Sequence, residues 1–271
     1  MDHGKGSYKI IVSGIVQGVG FRPLTFRIAL KHGIRGTVRN IGGKVEILAY
    51  AGEEELFEFL DELRNSESTG CEITNMEITE QSSEENIIYN DFRIIESGSG
   101  LSMVSEGEAS IIPPDLAVCS SCSSELFLAS DRRFKNPFIS CMSCGPRYTI
   151  IEELPYDRDN TTMIDFAMCP ECKKEYTSPL SRRFHAQTIS CYDCGPYLIF
   201  GRTQESPDDA GFEELTDEDA FNKTVEIINN GGIVAVKGIG GYHFVCTPFS
   251  DESGVNLRKL KGREEKPFAV M

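Results

Sequence analysis

Eight of the ten cysteines stand in four Cys-x-x-Cys pairs, and this arrangement constrains the chain more than any other feature. Each half reads C-x2-C-x18-C-x2-C, and Cys119, Cys122, Cys141 and Cys144 are answered 50 residues later by Cys169, Cys172, Cys191 and Cys194. Arg132-Arg133-Phe134 returns as Arg182-Arg183-Phe184, Ile139-Ser140-Cys141 as Ile189-Ser190-Cys191, and Gly145-Pro146 as Gly195-Pro196, so the segment is an internal duplication. Two cysteines separated by two residues bend around one tetrahedral ion, and two such knuckles close the site with no open position for water. The spacing therefore predicts two structural Zn2+ ions held by these eight thiolates. Redox dithiols and a rubredoxin-like iron site are the competing uses, but nothing nearby resembles a thioredoxin strand-helix unit. Spacing leaves open whether each ion takes one consecutive quartet or the halves exchange knuckles. A segment of this kind gains folding free energy on the order of 10 kcal/mol from its metal. His185 replaces Lys135 across the repeat, has no matching ligand, and is read as a surface or packing residue.

Composition limits the partners. The formal net charge is -15, with a sequence pI near 4.8. Such a surface repels polyphosphate and argues against a general nucleic-acid or anionic-membrane binder. Each Arg-Arg-Phe could stack bases, yet no longer basic run supports that use. No run approaches the roughly 18 apolar residues of a spanning helix, and the start MDHGKGSYK lacks the apolar core of a signal peptide. A cytoplasmic location is expected, and it favours metal over disulfide for the paired cysteines.

Charge is segregated along the chain. Residues 1 to 50 carry eight Lys/Arg against two Asp/Glu, and residues 51 to 100 carry two against fourteen. The first fifty residues look built to receive an anion, although a solvated acidic helix face explains the second half equally well. YKIIVSG reads as a strand, followed by a Gly-rich loop and a helix opened by Pro23 in PLTFRIALKHG. TVRNI and KVEILAY are two strands joined through Gly42-Gly43. EEELFEFLDELRN places Leu56, Phe59, Leu60 and Leu63 on one helical stripe. Strands in CEITNMEIT and DFRII complete βαββαβ, an α+β, ferredoxin-like domain with two helices on one antiparallel sheet. In the loop GIVQGVGFRP, glycines let backbone N–H groups turn inward, the helix start adds positive partial charge, and Arg22 offers a planar fork. Such a cradle suits a small phosphate.

The stretch GIVQGVGFRPLTFRIALKHGIRGTVRNIGGKVEILAYAG resembles the acylphosphatase signature. The resemblance implies that Arg22 holds the phosphoryl group together with the backbone of Gln17, Gly18, Val19, Gly20 and Phe21, and that Asn40 orients the attacking water. An acyl phosphate has a good carboxylate leaving group, so positioning and charge stabilisation can supply most of the rate. Farther on, TDEDAFNKTVEIINNGG reads as a capped helix followed by IVAVKG as a strand, a glycine turn, a second strand, a helix and the cluster Lys259, Lys261, Arg263 and Lys266. KGIGGYHFVC and KGREEKPFAV resemble the opening of a YrdC-like domain. That likeness implies Lys261 and Arg263 on the phosphates of ATP with Mg2+, and Lys237 and His243 beside the pocket.

The order of parts expected is residues 1–97 acylphosphatase-like, 98–114 linker, 115–200 duplicated zinc-binding domain, 201–215 linker and 216–271 partial YrdC-like domain. This order resembles the HypF family, the carbamoyltransferases of [NiFe]-hydrogenase maturation. Membership implies cleavage of carbamoyl phosphate at the first domain, conversion of the carbamate to carbamoyl-adenylate by ATP, and carbamoylation of the C-terminal cysteine of the partner HypE. The sequence reaches Met271 just after a strand of an unfinished YrdC-like domain, so the chain reads as an N-terminal portion able to hydrolyse but not to transfer. A stand-alone acylphosphatase with structural knuckles and a non-catalytic zinc adaptor are the alternatives.

Overall fold

Alternating apolar residues in the first 65 positions build a sheet with one covered face. The structure, a computed structural model, describes residues 5–66, 70–81, 89–97, 111–201, 214–238 and 240–271. Strands β1 (Lys5–Ile15), β2 (Arg35–Ile41), β3 (Lys44–Gly52), β4 (Glu72–Glu80) and β5 (Phe92–Ile94) form a five-stranded sheet in the order β4-β1-β3-β2-β5. Helices α1 (Phe21–Lys31) and α2 (Glu53–Asn65) bury Phe21, Ile28 and Ala29, and Leu56, Phe59, Leu60 and Leu63, in one core with Ile10, Val12, Val38, Val45 and Ile47. The stripe expected on α2 is the buried one.

Three details differ from the sequence expectation. The sheet is antiparallel except at one edge, where β5 runs parallel to β2 with Gly36 opposite Phe92. β5 follows β4 in the opposite direction and is laid on the far edge, which leaves it running with β2. Helix α1 begins at Phe21 rather than Pro23. Pro23 is tolerated because its absent N–H is one of the first four, which have no intrahelical acceptor. The segregated charges also pair with each other: Lys5 meets Glu55, Lys31 meets Glu62, and Lys9 and Arg39 both meet the buried Glu46. Four of the eight cations in the first fifty residues therefore pair with acids of β3 and α2.

The duplication is visible as two matching turns of structure. Helices α3 (Ser120–Phe127) and α4 (Pro170–Thr177) lie 50 residues apart, each capped by a cysteine, Cys119 or Cys169, whose Sγ accepts the N–H of Cys122 or Cys172. Lys135 and His185 occupy the same repeat position with φ of 59° and 54°. Their N–H groups donate to Leu126 and Tyr176 in the same way. Asp115, at the expected start of the module, accepts from the N–H of Arg147 and Thr149 and closes its entry.

Residues 1–196 form one compact unit and residues 197–271 another. At the expected boundary near residue 200, β6 (Ile199–Phe200) pairs with β7 (Leu215–Thr216). The second unit continues with α5 (Asp217–Asn229), β8 (Val234–Gly238), β9 (Gly241–Val245) and α6 (Asp251–Lys261), the helix, hairpin and helix expected. The strand expected at the very end is absent among the described residues: Arg263–Met271 make no ladder. Arg258 instead donates to the carbonyls of Arg263, Glu264 and Lys266 and holds this segment beside α6. Most of the expected linkers, residues 98–110 and 202–213, lies outside the described residues. Among the described residues no helix is long and apolar enough to cross a membrane.

Candidate functional site

The eight paired cysteines assemble as two consecutive quartets, Cys119-Cys122-Cys141-Cys144 and Cys169-Cys172-Cys191-Cys194, each with its four Sγ atoms within 4.8 Å of one another. Neighbouring Sγ–Sγ distances are 3.5 to 3.7 Å in the first and 3.7 to 3.8 Å in the second. A tetrahedron with Zn–S bonds of about 2.3 Å has edges of about 3.8 Å, so both quartets fit one Zn2+ each and the halves do not exchange knuckles. Four thiolates leave no position for substrate or water, which makes the role structural.

What the halves do exchange is arginines. Arg132 of the first repeat donates to Cys191, Cys169 and Cys172 of the second at 2.9, 3.3 and 3.5 Å. Arg182 of the second donates to Cys122 at 3.2 Å and reaches Cys119 at 4.0 Å. Arg133 and Arg183 are buried and donate to the Ser190 and Ser140 carbonyls of the opposite repeat. Burial alone would raise the carboxyls of Glu125 and Glu175, but these guanidiniums hold both below the usual range. The arginines of the Arg-Arg-Phe repeats are therefore internal braces. Arg132 and Arg182 each offset the charge of thiolates in the other repeat. Arg182→Ala is expected to loosen the first quartet and Arg132→Ala the second, with zinc release about tenfold faster in each case. Chelator competition gives the rate, and hydrogen exchange of α3 against α4 tells which quartet opened. Loosening within the mutated residue's own repeat would contradict the crossed arrangement.

The Gly-rich loop sits where α1 begins. Gly18 and Gly20 have φ of 70° and 76°, a conformation that turns successive N–H groups into an anion-binding concavity. Both positions are crowded: a Cβ on Gly20 would lie 2.6 Å from Met142 Cγ, and one on Gly18 would lie 3.1 Å from Pro113 and 3.2 Å from Arg147. The zinc-binding module is thus packed directly on the loop. Val19 and Phe21 are buried in the core and anchor it. Gln17 donates to the carbonyls of Gly42 and Lys44 at 2.8 and 2.9 Å, which ties the loop to the β2–β3 hairpin.

Arg22 and Asn40 come together at a single atom that neither neighbouring element supplies. The Tyr156 carbonyl accepts from Arg22 Nη2 at 3.4 Å and from Asn40 Nδ2 at 3.3 Å. The Tyr156 N–H donates to Gln17 Oε1 at 2.9 Å, and Asp157 Oδ1 takes Arg22 Nη2 at 2.5 Å. Asn40 is 1% exposed, and its Oδ1 is a buried acceptor without a hydrogen-bond partner. Arg147 donates from its guanidinium to the carbonyls of Gly18, Met142, Cys144 and Pro146, linking the loop to a zinc ligand's backbone. A cavity lies among Gln17, Gly20, Arg22, Arg147, Tyr156 and His185. His185, read as a surface or packing residue, is partly buried and packs on Tyr176 and Phe184. Burial first, and then Arg22 and Lys173, push its imidazole down to about 4, so it is neutral at physiological pH.

Sequence reading missed Tyr156, Asp157 and Arg147. Only Arg147 carried a signal, since the second repeat has Tyr197 after its Gly-Pro.

In the second unit, Lys261 ends α6 with Nζ 5.2 Å from the Phe244 ring centroid, and Arg263 lies 5.8 Å from that of Phe268. Lys237 and His243 are not brought to one place. Val236 pairs with His243 and Lys237 with Tyr242, so the two side chains occupy opposite faces of the β8–β9 hairpin.

Three family models match in succession: Acylphosphatase over residues 8–94, HypF finger over 118–151 and 168–200, and Telomere recombination, the Sua5/YciO/YrdC group, over 226–271. A probable carbamoyltransferase HypF of Methanocaldococcus jannaschii is 46% identical over 268 residues, covering 98% of this chain and 33% of the relative. An acylphosphatase of Listeria monocytogenes is 48% identical over 68 residues, covering 25% of this chain and 73% of the relative. Among solved structures, full-length HypF in a phosphate- and nucleotide-bound form aligns with a TM-score of 0.83 at 36% identity, over 98% of this chain and 32% of that one. HypF of T. kodakarensis aligns with a TM-score of 0.81 at 40% identity, over 97% and 32%. The chain spans about a third of the length of these HypF relatives.

Proposed function

The chain belongs to the HypF family, with an acylphosphatase domain at its front, and from that premise we propose that this domain hydrolyses carbamoyl phosphate to carbamate and phosphate. The observation that carries the reading is the meeting of Arg22 and Asn40 at the Tyr156 carbonyl. That contact engages Asn40 Nδ2 and leaves Oδ1 as a buried acceptor without a partner, an atom to which the attacking water would donate. The phosphoryl group rests on the backbone of Gln17, Gly18, Val19, Gly20 and Phe21 with Arg22 beside it. Water attacks phosphorus, the bond from phosphorus to the carbamoyl oxygen breaks, and the electron pair leaves with carbamate. No side chain has to act as a strong base, and neutral His185 does not compete with Arg22 for the phosphate.

Asn40→Ala is expected to lower kcat about a hundredfold with KM changed only a few-fold, the pattern of an interaction realised in the transition state. Phosphate release from carbamoyl phosphate measures it, and an unchanged kcat would remove Asn40 from the reaction.

Two Zn2+ bound by the cysteine quartets hold the module that presses on this site. In the second unit, Lys261 and Arg263 are the residues for the phosphates of ATP with Mg2+; the match to the Sua5/YciO/YrdC group supports this. The HypF relatives, named carbamoyltransferases, support the longer route. Carbamate and ATP give carbamoyl-adenylate and pyrophosphate, the carbamoyl group passes to the C-terminal cysteine of HypE, and the product serves cyanide-ligand synthesis for [NiFe]-hydrogenase. A cytoplasmic setting keeps the eight thiolates reduced for this work.

A further inference from the structure

The first residues to consider beyond the acylphosphatase domain are those that the zinc-binding module places against it. Asp157 is bound at both ends: Oδ1 accepts from Arg22 Nη2, and Oδ2 accepts from Ser97 Oγ. Its neighbours are fixed on either side. Tyr156 is tied to Gln17, while the Arg158 N–H donates to Gln187 Oε1 at 2.9 Å and its guanidinium donates to the carbonyls of Gln187, Ile189 and Phe166. Arg22 is 10% and Asp157 23% exposed, so the pair is largely shielded from water. Of the Arg22 guanidinium only Nη2 is engaged among the described residues; Nε and Nη1 make no protein hydrogen bond.

The geometry points to Asp157 as a positioning residue for Arg22, supplied to the acylphosphatase domain by the zinc-binding module. The carboxylate holds one prong of the fork, and the remaining donors are left aligned for two phosphate oxygens. The inference rests on the reading of Arg22 as the phosphate ligand. A carboxylate beside an anion site also repels the anion, and this opposite effect makes the test sharp: simple electrostatics predicts that removing Asp157 tightens phosphate binding, whereas positioning predicts that it weakens.

The experiment uses the zinc-loaded chain with inorganic phosphate as the calorimetric probe and carbamoyl phosphate as substrate. Asp157→Ala is expected to raise the phosphate Kd about tenfold and to lower kcat/KM about tenfold, the cost of leaving a guanidinium free to swing. Asp157→Asn keeps a carbonyl oxygen for Nη2 and is expected to recover most of both losses. Ser97→Ala frees the far oxygen of the carboxylate and is expected to shift both quantities in the same direction by about threefold. Tighter phosphate binding in Asp157→Ala, no change in either quantity, or an Asn variant no better than the Ala variant overturns the inference. If the wild-type chain binds phosphate but turns over no carbamoyl phosphate, the substrate reading fails, and the Kd comparison still decides the role of Asp157.

Discussion

Replacing Arg22 by alanine is expected to lower kcat/KM for carbamoyl phosphate by about three orders of magnitude, the scale at which an arginine on a transferring phosphoryl group acts. No other cation in the cavity can take over. Arg147 also lines the cavity, yet each of its three nitrogens donates to a backbone carbonyl, and its guanidinium is structural. His185 is neutral. Arg22→Lys keeps the charge but loses the planar fork, so it should fall between wild type and alanine. The fold should survive, because the Arg22 side chain lies outside the apolar core and gives up one ion pair at its edge. Steady-state phosphate release, read beside the zinc content of each variant, checks the expectation. Retention of more than a tenth of wild-type kcat/KM by the alanine variant would place the phosphate elsewhere.

Stripping zinc is the second large effect. The interior of each knuckle pair consists mainly of its own ligands, with Ile139 in one and Ala186 and Ile189 in the other, so without an ion little apolar surface remains to hold it. Free energy on the order of 10 kcal/mol comes from metal in such segments, and its loss should unfold residues 115–196 as a unit. The five-stranded sheet has its own core and should persist. Hydrogen exchange after chelation is then expected to show α3 and α4 unprotected while β1, β2 and β3 remain protected. Hydrolysis should fall about tenfold as Tyr156 and Asp157 leave the site, and return when Zn2+ is restored. A module that stays protected after chelation would contradict the structural role of the ions.

The parts of the site that were readable from sequence are those whose chemistry is local. Cysteine spacing specifies a knuckle because two thiolates two residues apart must share an ion, and glycines around Val19 specify a concave loop because only they tolerate positive φ there. The stripe of Leu56, Phe59, Leu60 and Leu63 and the turn at Gly42 are local in the same sense. Contacts made across more than a hundred residues left no such trace: Tyr156 and Asp157 reach Gln17, Arg22 and Asn40 only because the module folds onto the loop. The bracing role of the Arg-Arg-Phe repeats was not legible because sequence displays charge without its partner, and the crossed packing that buries Arg133 and Arg183 appears only when two repeats meet. The charge asymmetry of the first hundred residues is likewise offset in part by packing, since α2 brings Glu55 and Glu62 back to Lys5 and Lys31. The opposite faces of Lys237 and His243, by contrast, follow from strand alternation once the register is known.

The central claim is that water attacks phosphorus in the cradle of Arg22 and Asn40. Hydrolysis of carbamoyl phosphate in 18O-labelled water, with the isotope content of the released phosphate read by mass spectrometry, tests it most directly. One labelled oxygen per phosphate, lost with Arg22→Ala, is the predicted result. Unlabelled phosphate, which requires cleavage between carbon and oxygen, or no enzymatic release at all from the folded, zinc-loaded chain, would contradict it.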